Sequence, residues 1–189
     1  MLVEEALRRH DVVERMLAEH ARRTSDLERH FRLLRRMLGL RKVFMEVGAG
    51  DCALAHRVAG YVERAYAVDT SAQVLHALRR PGNVVALRAG AAGIAVPEGS
   101  VDVAFSRELV AQHLRSIHRS LAPGGRYLCI TRSAAFCLRE LRALFLEAGF
   151  RKLGLHARFG GAYAKLPFRL LQALEACRGA LSLRVEAVK

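Results

Sequence analysis

The sequence has no tryptophan, few aromatic residues and only four prolines, and it contains no long apolar run. No stretch approaches the roughly 18 consecutive apolar residues that a membrane-spanning helix requires, so we expect no membrane span. The opening residues, MLVEEALRR, include two acids and lack the apolar segment of a secretory signal. The composition therefore predicts a cytoplasmic globular protein.

Cysteine is also scarce, and its spacing is not that of a metal or disulfide site. The four cysteines are Cys52, Cys129, Cys137 and Cys177. None forms a C-x-x-C pair, and there is no short cluster of Cys and His with the spacing of a zinc site. Three histidines, His10, His20 and His30, stand ten residues apart, a spacing that rotates around a helix. We therefore expect reduced thiols and no metal site.

Acidic residues are outnumbered, because 31 Lys and Arg against 18 Asp and Glu give a formal charge of +13. The excess is greatest in residues 131–189, which carry +7, against +4 in residues 1–42 and +2 in residues 43–130. Such a balance fits either a nucleic-acid partner or a solvated basic surface. Because no basic run is interleaved with stacking aromatic rings, we favour the solvated surface over a nucleic-acid partner.

A strand-turn-helix-strand pattern occupies residues 42–69. The apolar run Val43–Val47 ends in Gly48-Ala49-Gly50, a segment with helical spacing follows, and a second apolar run, Ala65–Val68, ends at Asp69. That order predicts one βαβ unit of a parallel sheet. Glycines at such a turn let the backbone approach a ligand closely. A carboxylate at the next strand tip, about 20 residues on, can accept hydrogen bonds from a ribose, so the unit predicts a nucleoside-bearing ligand.

Three further motifs distinguish between the families that use this unit. Glu46 stands two residues before the first glycine, Ser100–Ser106 (SVDVAFS) is a further strand, and Leu121–Thr131 (LAPGGRYLCIT) contains an L-x-P-G-G turn. Together they resemble the class I S-adenosylmethionine-dependent methyltransferases over roughly Val43 to Phe150. The glycine pattern alone also fits the dinucleotide fingerprint of an NAD-dependent oxidoreductase. The P-G-G turn and two helices before the first strand count against that alternative.

The resemblance implies an α/β, Rossmann-like, doubly wound fold. Its seven-stranded sheet has the order 3-2-1-4-5-7-6 with the last strand antiparallel, and two N-terminal helices precede it. We expect a single methyltransferase-like domain over residues 1–189. Its parts are an N-terminal helical cap (1–41), a cofactor-binding core (42–157), and an inserted helix with the last strand (158–189).

Apolar spacing places the two N-terminal helices at Leu2–Leu17 and Leu27–Leu38, the second capped near Thr24. Further helices are predicted at Thr70–Leu78, Leu109–Leu121 and Pro167–Cys177. The glycine-rich segment Arg158–Ala164 is predicted to be a loop.

In the resembled family, the glycine loop, the acid before it and the acid after the second strand bind the methyl donor. The implied donor is S-adenosylmethionine, with S-adenosylhomocysteine as the product. The donor-binding residues implied for this chain are Glu46, Gly48, Ala49, Gly50, Asp69, Thr70, Ala91, Ala92 and Ser106. Ala91 replaces a common aspartate that binds the adenine amino group, so we expect backbone groups of Ala91 and Ala92 to hold the adenine edge. Cys52 replaces the common third glycine.

Methyl transfer from a sulfonium requires alignment, and it requires a general base only when the nucleophile carries a proton. Arg107 and His113 are the polar catalytic candidates near the end of the fourth strand; for each, a plain surface residue is the alternative. Residues 106–109, Ser-Arg-Glu-Leu, stand where methyltransferases of base amino groups have (N/D)PP(Y/F), and no cysteine has the Pro-Cys context of cytosine-C5 enzymes. We therefore expect a small-molecule acceptor. The alternative is a methyltransferase-fold protein that binds RNA, a ligand or a protein partner without methyl transfer, and the oligomeric state stays open.

Overall fold

The chain divides into two compact units, Met1–Met37 and Leu38–Lys189. The computed structural model describes residues 19, 21–72, 75, 81–91, 93–132, 137–159, 162–169, 171–172 and 182–189.

In the first unit, residues 21–34 form helix α1. The helix passes through Thr24, where the sequence predicted its cap, so the predicted boundary was wrong. Asp26 forms an ion pair with Arg29 at 2.9 Å, three residues further on, which supports a helical turn directly after Thr24. The other predicted helix, Leu2–Leu17, lies outside the described residues.

The second unit is built on an eight-stranded sheet. The strands are β1 (Gly39–Val47), β2 (Val62–Asp69), β3 (Val84–Arg88), β4 (Val101–Ser106), β5 (Leu121–Arg132), β6 (Lys152–Phe159), β7 (Ala162–Lys165) and β8 (Ser182–Val188). Their order is β3-β2-β1-β4-β5-β8-β6-β7. Strands β1 to β5 pair in parallel, and β8 is antiparallel to both β5 and β6. Apart from the additional β7, this is the predicted order with an antiparallel last strand, so the predicted fold is confirmed.

Strands β6 and β7 together replace the greater part of the predicted glycine-rich loop. Strand β7 pairs antiparallel with β6, so that Arg158 lies opposite Tyr163. The residues that indicated a loop, Gly160 and Gly161, stand in the sequence between the two paired strands, where a hairpin needs turn residues. A strand of four residues is too short to show a clear alternating pattern.

Strand β5 begins earlier than its apolar pattern suggests. It starts at Leu121 and contains the P-G-G turn, because Leu121 pairs with Val101 and the register then shifts between Val101 and Val103. Gly125 makes this pairing possible: a Cβ there would lie 2.8 Å from the carbonyl oxygen of Ala122 and 2.9 Å from that of Val101. The second glycine of the turn is therefore required by the close approach of the backbone.

The described helices of this unit are α2 (Ala53–Ala59), α3 (Leu114–Ser120) after a 3-10 turn (Ala111–His113), and α4 (Leu138–Glu147). The helix predicted from Leu109 thus becomes regular only at Leu114. Of the helix predicted over Pro167–Cys177, residues 168–169 and 171–172 are helical, and most of the remainder is outside the described part. Residues 72 and 75 of the segment after β2 have 3-10 conformation. None of the described helices is long and apolar enough to cross a membrane.

The main core contains residues of the sheet, α3 and α4. The rings of Tyr127, Phe145 and Phe150 meet there, with centroids 5.4 to 6.0 Å apart. Aromatic contacts at these distances stabilise a core beyond the burial of apolar area alone. Because β1 to β4 are parallel, their carboxyl ends lie at one edge of the sheet, where open α/β sheets bind ligands.

Candidate donor-binding site

The turn between β1 and α2 is held against the end of β2 by backbone hydrogen bonds. The N–H groups of Gly48 and Ala49 donate to the carbonyl oxygen of Val68, at 2.8 and 3.0 Å. Gly48 has a φ of +77° and Gly50 a φ of +53°, in the left-handed region that favours glycine. A Cβ on Gly48 would have no neighbour within 4 Å, so the space over this residue is open. The glycines allow the turn and leave a bare backbone that a ligand can approach.

Cys52 continues the turn in the same left-handed conformation. Its φ is 63°, the only positive φ of a non-glycine residue within the described ranges. For a residue with a Cβ this conformation costs about 1–2 kcal/mol. The backbone geometry therefore explains why the resembled family commonly has glycine at this position.

Asp69, at the tip of β2, connects two loops. Its Oδ2 accepts a hydrogen bond from the Gly50 N–H at 2.8 Å, and its Oδ1 accepts one from the Ser71 N–H at 2.8 Å. An ionised carboxylate has about four lone-pair sites, so further donors can still bind to these oxygens. Asp69 is half-buried directly beside the glycine turn, where it can bind the hydroxyl groups of a ligand.

Glu46, near the end of β1, is only 1% exposed. Its Oε2 accepts a hydrogen bond from the Ala55 N–H at 3.0 Å, whereas Oε1 has no hydrogen-bond partner among the described residues. Burial raises the pKa of this carboxyl to about 8, although the positive charge of Arg107 acts in the opposite direction. A buried polar atom without a partner is costly. Oε1 therefore keeps acceptor capacity that no described residue uses.

Arg107 comes directly after β4 and reaches to the glycine turn. Its Nη2 donates to the carbonyl oxygen of Gly48 at 3.3 Å and lies 3.8 Å from the place of a Cβ on Gly50. The side chain is exposed, and it takes part in none of the ion pairs found among the described residues. The structure thus brings Arg107, from the end of β4, to the glycine turn that follows Glu46 in the sequence.

Ser106, the last residue of β4, is fully buried. Its Oγ lies 2.6 Å from the carbonyl oxygen of Glu108, to which it donates, and 2.7 Å from the hydroxyl of Tyr127. The hydroxyl is therefore already bonded inside the protein, and a contact with the donor would have to come from the backbone.

A cavity of about 550 Å³ opens at the ends of β2 and β3. Its lining consists of Thr70, Arg88, Ala89, Gly90, Ala91, Gln112 and His113. Sequence reasoning did not select Arg88 or Gln112. Arg88 ends β3, so its place at the carboxyl edge could have indicated it, whereas nothing in the sequence marked Gln112. Ala92 lies outside the described residues.

His113 ends the 3-10 turn before α3 and is 6% exposed, so the alternative of a surface histidine was wrong. Neither ring nitrogen has a hydrogen-bond partner in the described part of the chain. His113 is a lining residue of the cavity, together with Thr70 and Ala91. Within the described ranges there is no group of three or more His, Cys, Asp or Glu side chains that could hold a metal ion.

Known proteins resemble the chain in both sequence pattern and fold. Residues 45–129 match a family described as "Methyltransferase domain". No curated protein matches the sequence. An S-adenosylmethionine-dependent methyltransferase from Mesorhizobium loti is 15% identical with a TM-score of 0.60, over 81% of this chain and 93% of that one.

Two other solved structures show the same likeness. Geranyl diphosphate C-methyltransferase from Streptomyces coelicolor is 16% identical with a TM-score of 0.62, over 89% of this chain and 79% of that one. The 4+2 cyclase SpnF is 17% identical with a TM-score of 0.65, over 85% of this chain and 80% of that one. At such identities the likeness shows the fold.

The family match begins in β1, spans the glycine turn and Asp69, and ends within β5. It includes every described residue of the site, and it confirms the resemblance seen in the sequence against the dinucleotide-binding alternative. Residues 45–129 therefore resemble a methyltransferase domain, within a chain that has the fold of the class I S-adenosylmethionine-dependent methyltransferases.

Proposed function

We propose that the protein transfers the methyl group of S-adenosylmethionine to a small-molecule acceptor. The observation that carries the proposal is the arrangement at the ends of β1 and β2. An open glycine turn lies there with Asp69 hydrogen-bonded to Gly50 at 2.8 Å. In the same place Glu46 is buried with an oxygen that has no partner among the described residues.

The residues of the turn fit the ribose and amino-acid parts of S-adenosylmethionine. Asp69 uses one site on each oxygen for a backbone N–H and keeps acceptor capacity for the two ribose hydroxyls. The open space over Gly48 allows a ligand to lie against the backbone. Oε1 of Glu46 can accept from the ammonium group, which would satisfy the buried atom.

The cavity beside Thr70 fits the adenine part, because a base attached to a ribose at Asp69 would extend toward the ends of β2 and β3. Ala91 offers no carboxylate to the adenine amino group. The side chain of Gln112 carries both an acceptor and a donor, the combination that adenine requires. We therefore assign Gln112 and His113 to the adenine side of the donor site, and His113 becomes a binding residue instead of a general base.

The chemistry of transfer makes few demands on the protein. S-adenosylmethionine, when bound, supplies an activated methyl group on a sulfonium. The side chains around the turn orient the donor and hold it in place, and alignment of this kind can lower the barrier by about 7–11 kcal/mol. No general base is needed where the acceptor presents an unprotonated atom.

A small-molecule acceptor is supported by the short segment after β4. Four residues, 107–110, separate this strand from the 3-10 turn, and they lack the tetrad that methyltransferases of base amino groups use. Two solved relatives of the same fold bind small acceptors, geranyl diphosphate in one and phosphomonomethylethanolamine in the other. On the basis of these features we propose that the acceptor of this chain is of similar size.

A second candidate is a protein of this fold that binds ligand, RNA or a protein partner without methyl transfer. Ala91 favours it, because the missing carboxylate removes a charge-assisted hydrogen bond worth about 1.5–3 kcal/mol. The cyclase SpnF has the same fold, although its name describes a different reaction.

Calorimetry and then label transfer distinguish these candidates. We expect S-adenosylmethionine and S-adenosylhomocysteine to bind and NAD not to bind. Incubation with methyl-labelled S-adenosylmethionine should then place the label in the low-molecular-weight fraction of a cell extract. Label in RNA or protein would contradict the small-molecule acceptor, and donor binding with no labelled product in any fraction would favour the second candidate.

A further inference from the structure

An acidic side chain, Glu46, and a basic side chain, Arg107, lie close to the glycine turn. Glu46 places an unpartnered carboxyl oxygen at the end of β1. Arg107 places its guanidinium against the turn, with Nη2 at 3.3 Å from the Gly48 carbonyl oxygen. The two side chains interact electrostatically, since the charge of Arg107 opposes the effect of burial on the pKa of Glu46. A ligand that lies on the turn therefore lies close to both a carboxyl group and a guanidinium.

A free α-amino acid group is a zwitterion with the complementary charges. Its ammonium group requires an acceptor, and its carboxylate requires donors in a planar, two-pronged arrangement that a guanidinium provides. We propose that Arg107 is a specificity-determining residue that binds the α-carboxylate of the donor, while Glu46 accepts from the ammonium group. This inference rests on the proposed function, because it assigns a role within the same donor site.

The contacts of Arg107 support a ligand-binding role over a structural one. The guanidinium has five N–H donors, and the contact described for it is the single bond to Gly48. That bond, at 3.3 Å, is long for an N–H···O hydrogen bond. No carboxylate in the described part of the chain forms an ion pair with Arg107. The side chain can therefore exchange a weak contact for a charge-assisted one.

The test compares two ligands by calorimetry, S-adenosylhomocysteine and its analogue without the α-carboxylate. Wild-type protein should bind S-adenosylhomocysteine about 10- to 100-fold more tightly than the analogue. Arg107→Gln should lose this preference: its affinity for S-adenosylhomocysteine falls by about 10- to 100-fold, while that for the analogue stays within about twofold. Arg107→Lys should recover part of the loss, because it keeps the charge without the fork.

Arg126→Gln is the matched control, since it also removes an exposed cation and should change neither affinity. Melting temperatures of all variants check that the fold is kept. Equal weakening of both ligands by Arg107→Gln would overturn the proposal in favour of a general effect of charge. If Arg107→Gln weakens the binding of neither ligand, the proposal is also overturned, and Arg107 would then be assigned to the acceptor side of the site. If the wild-type protein binds no S-adenosylhomocysteine, the proposed function fails first.

Discussion

The edge where β1 and β2 end differs in construction from the core where α4 packs on β5. At the edge, Gly48 and Cys52 have left-handed backbones, and Glu46 is buried with one oxygen that lacks a partner among the described residues. In the core, the Tyr127 hydroxyl is hydrogen-bonded at 2.7 Å, and its ring packs with those of Phe145 and Phe150. The edge contains groups that destabilise the folded state, whereas the core contains groups that stabilise it.

We infer from this difference that the core stabilises the fold, whereas the edge is suited to ligand binding. Backbone strain and unsatisfied polar atoms persist only where the rest of the structure supports them, and such places often bind ligands. Substitutions in the core should therefore change the free energy of unfolding without changing donor affinity. Substitutions at the edge should mainly change donor affinity.

The largest effect is expected in the core. Phe145→Ala should lower the free energy of unfolding by about 3–5 kcal/mol, because it removes a fully buried ring and leaves a cavity. Denaturant unfolding measures the loss. Leu146→Ala, next to it on α4 and 46% exposed, is the control and should cost far less. Weaker binding of S-adenosylhomocysteine to the folded Phe145→Ala protein would contradict this separation of stability from donor affinity.

Asp69→Ala should abolish measurable binding of S-adenosylmethionine in calorimetry, because the ribose loses its acceptor. The structure adds a cost to stability, since the Gly50 and Ser71 N–H groups lose their bonds to the carboxylate. We expect a loss of about 1–3 kcal/mol in a folded variant. Asp69→Asn, which keeps one acceptor oxygen, should be less affected in both measurements. Unchanged affinity in Asp69→Ala would remove the cofactor assignment.

Glu46 should make stability depend on pH. Burial raises the pKa of its carboxyl from 4.5 to about 8, so between these values the folded state keeps a proton that the unfolded state releases. Stability should therefore fall as the pH rises from about 5 to about 8 and stay level above it. Glu46→Gln should flatten that slope in melting temperatures, whereas Glu63→Gln, exposed on β2, should keep it. Equal slopes in all three proteins would show that Glu46 does not titrate in this way.

Ala91→Asp should tighten the binding of S-adenosylmethionine by roughly tenfold, because it restores a carboxylate for the adenine amino group. Calorimetry at one pH compares the variant with wild type. Ala91→Asn provides a neutral side chain of similar size as a control. Weaker binding in Ala91→Asp would place the adenine elsewhere.

The smallest effect is expected at the basic surface. Changing Arg151, Lys152, Arg158 and Lys165 together to Gln should leave the binding of structured RNA weak and unchanged, since we take these exposed residues as solvated. A titration at two salt concentrations checks this. A true phosphate-binding surface would instead lose about 0.7–0.9 in log K per contact for each unit of log salt. Tight binding that disappears in the variant would favour an RNA-directed protein.

Much of the fold could be predicted from local pattern. The apolar run before Gly48 and the run before Asp69 predict β1 and β2, because each is short and bounded by a turn signal or an acid. The sheet order came from the resemblance and not from the residues. Local pattern failed at β5, where pairing of Leu121 with Val101 overrides the turn signal of the P-G-G sequence.

The candidate site was less accessible to sequence reasoning. Position at or directly after the carboxyl end of a strand could indicate Glu46, Asp69 and Arg107. The unpartnered oxygen of Glu46 and the reach of Arg107 to Gly48 depend on three segments that meet only in the folded chain. Gln112 had no signal, because the sequence predicted a helix over Leu109–Leu121 and gave no reason to select this residue within it.

The central claim is that the donor binds at the glycine-turn edge and not elsewhere on the sheet. Amide hydrogen exchange with and without S-adenosylhomocysteine tests it most directly. We predict that the ligand slows exchange at Gly50 and Ser71, whose amides donate to Asp69, and at Gly48 and Ala49, whose amides donate to Val68. We predict that it leaves the β6–β7 hairpin unchanged. Slower exchange in the hairpin with no change at the glycine turn would contradict the account.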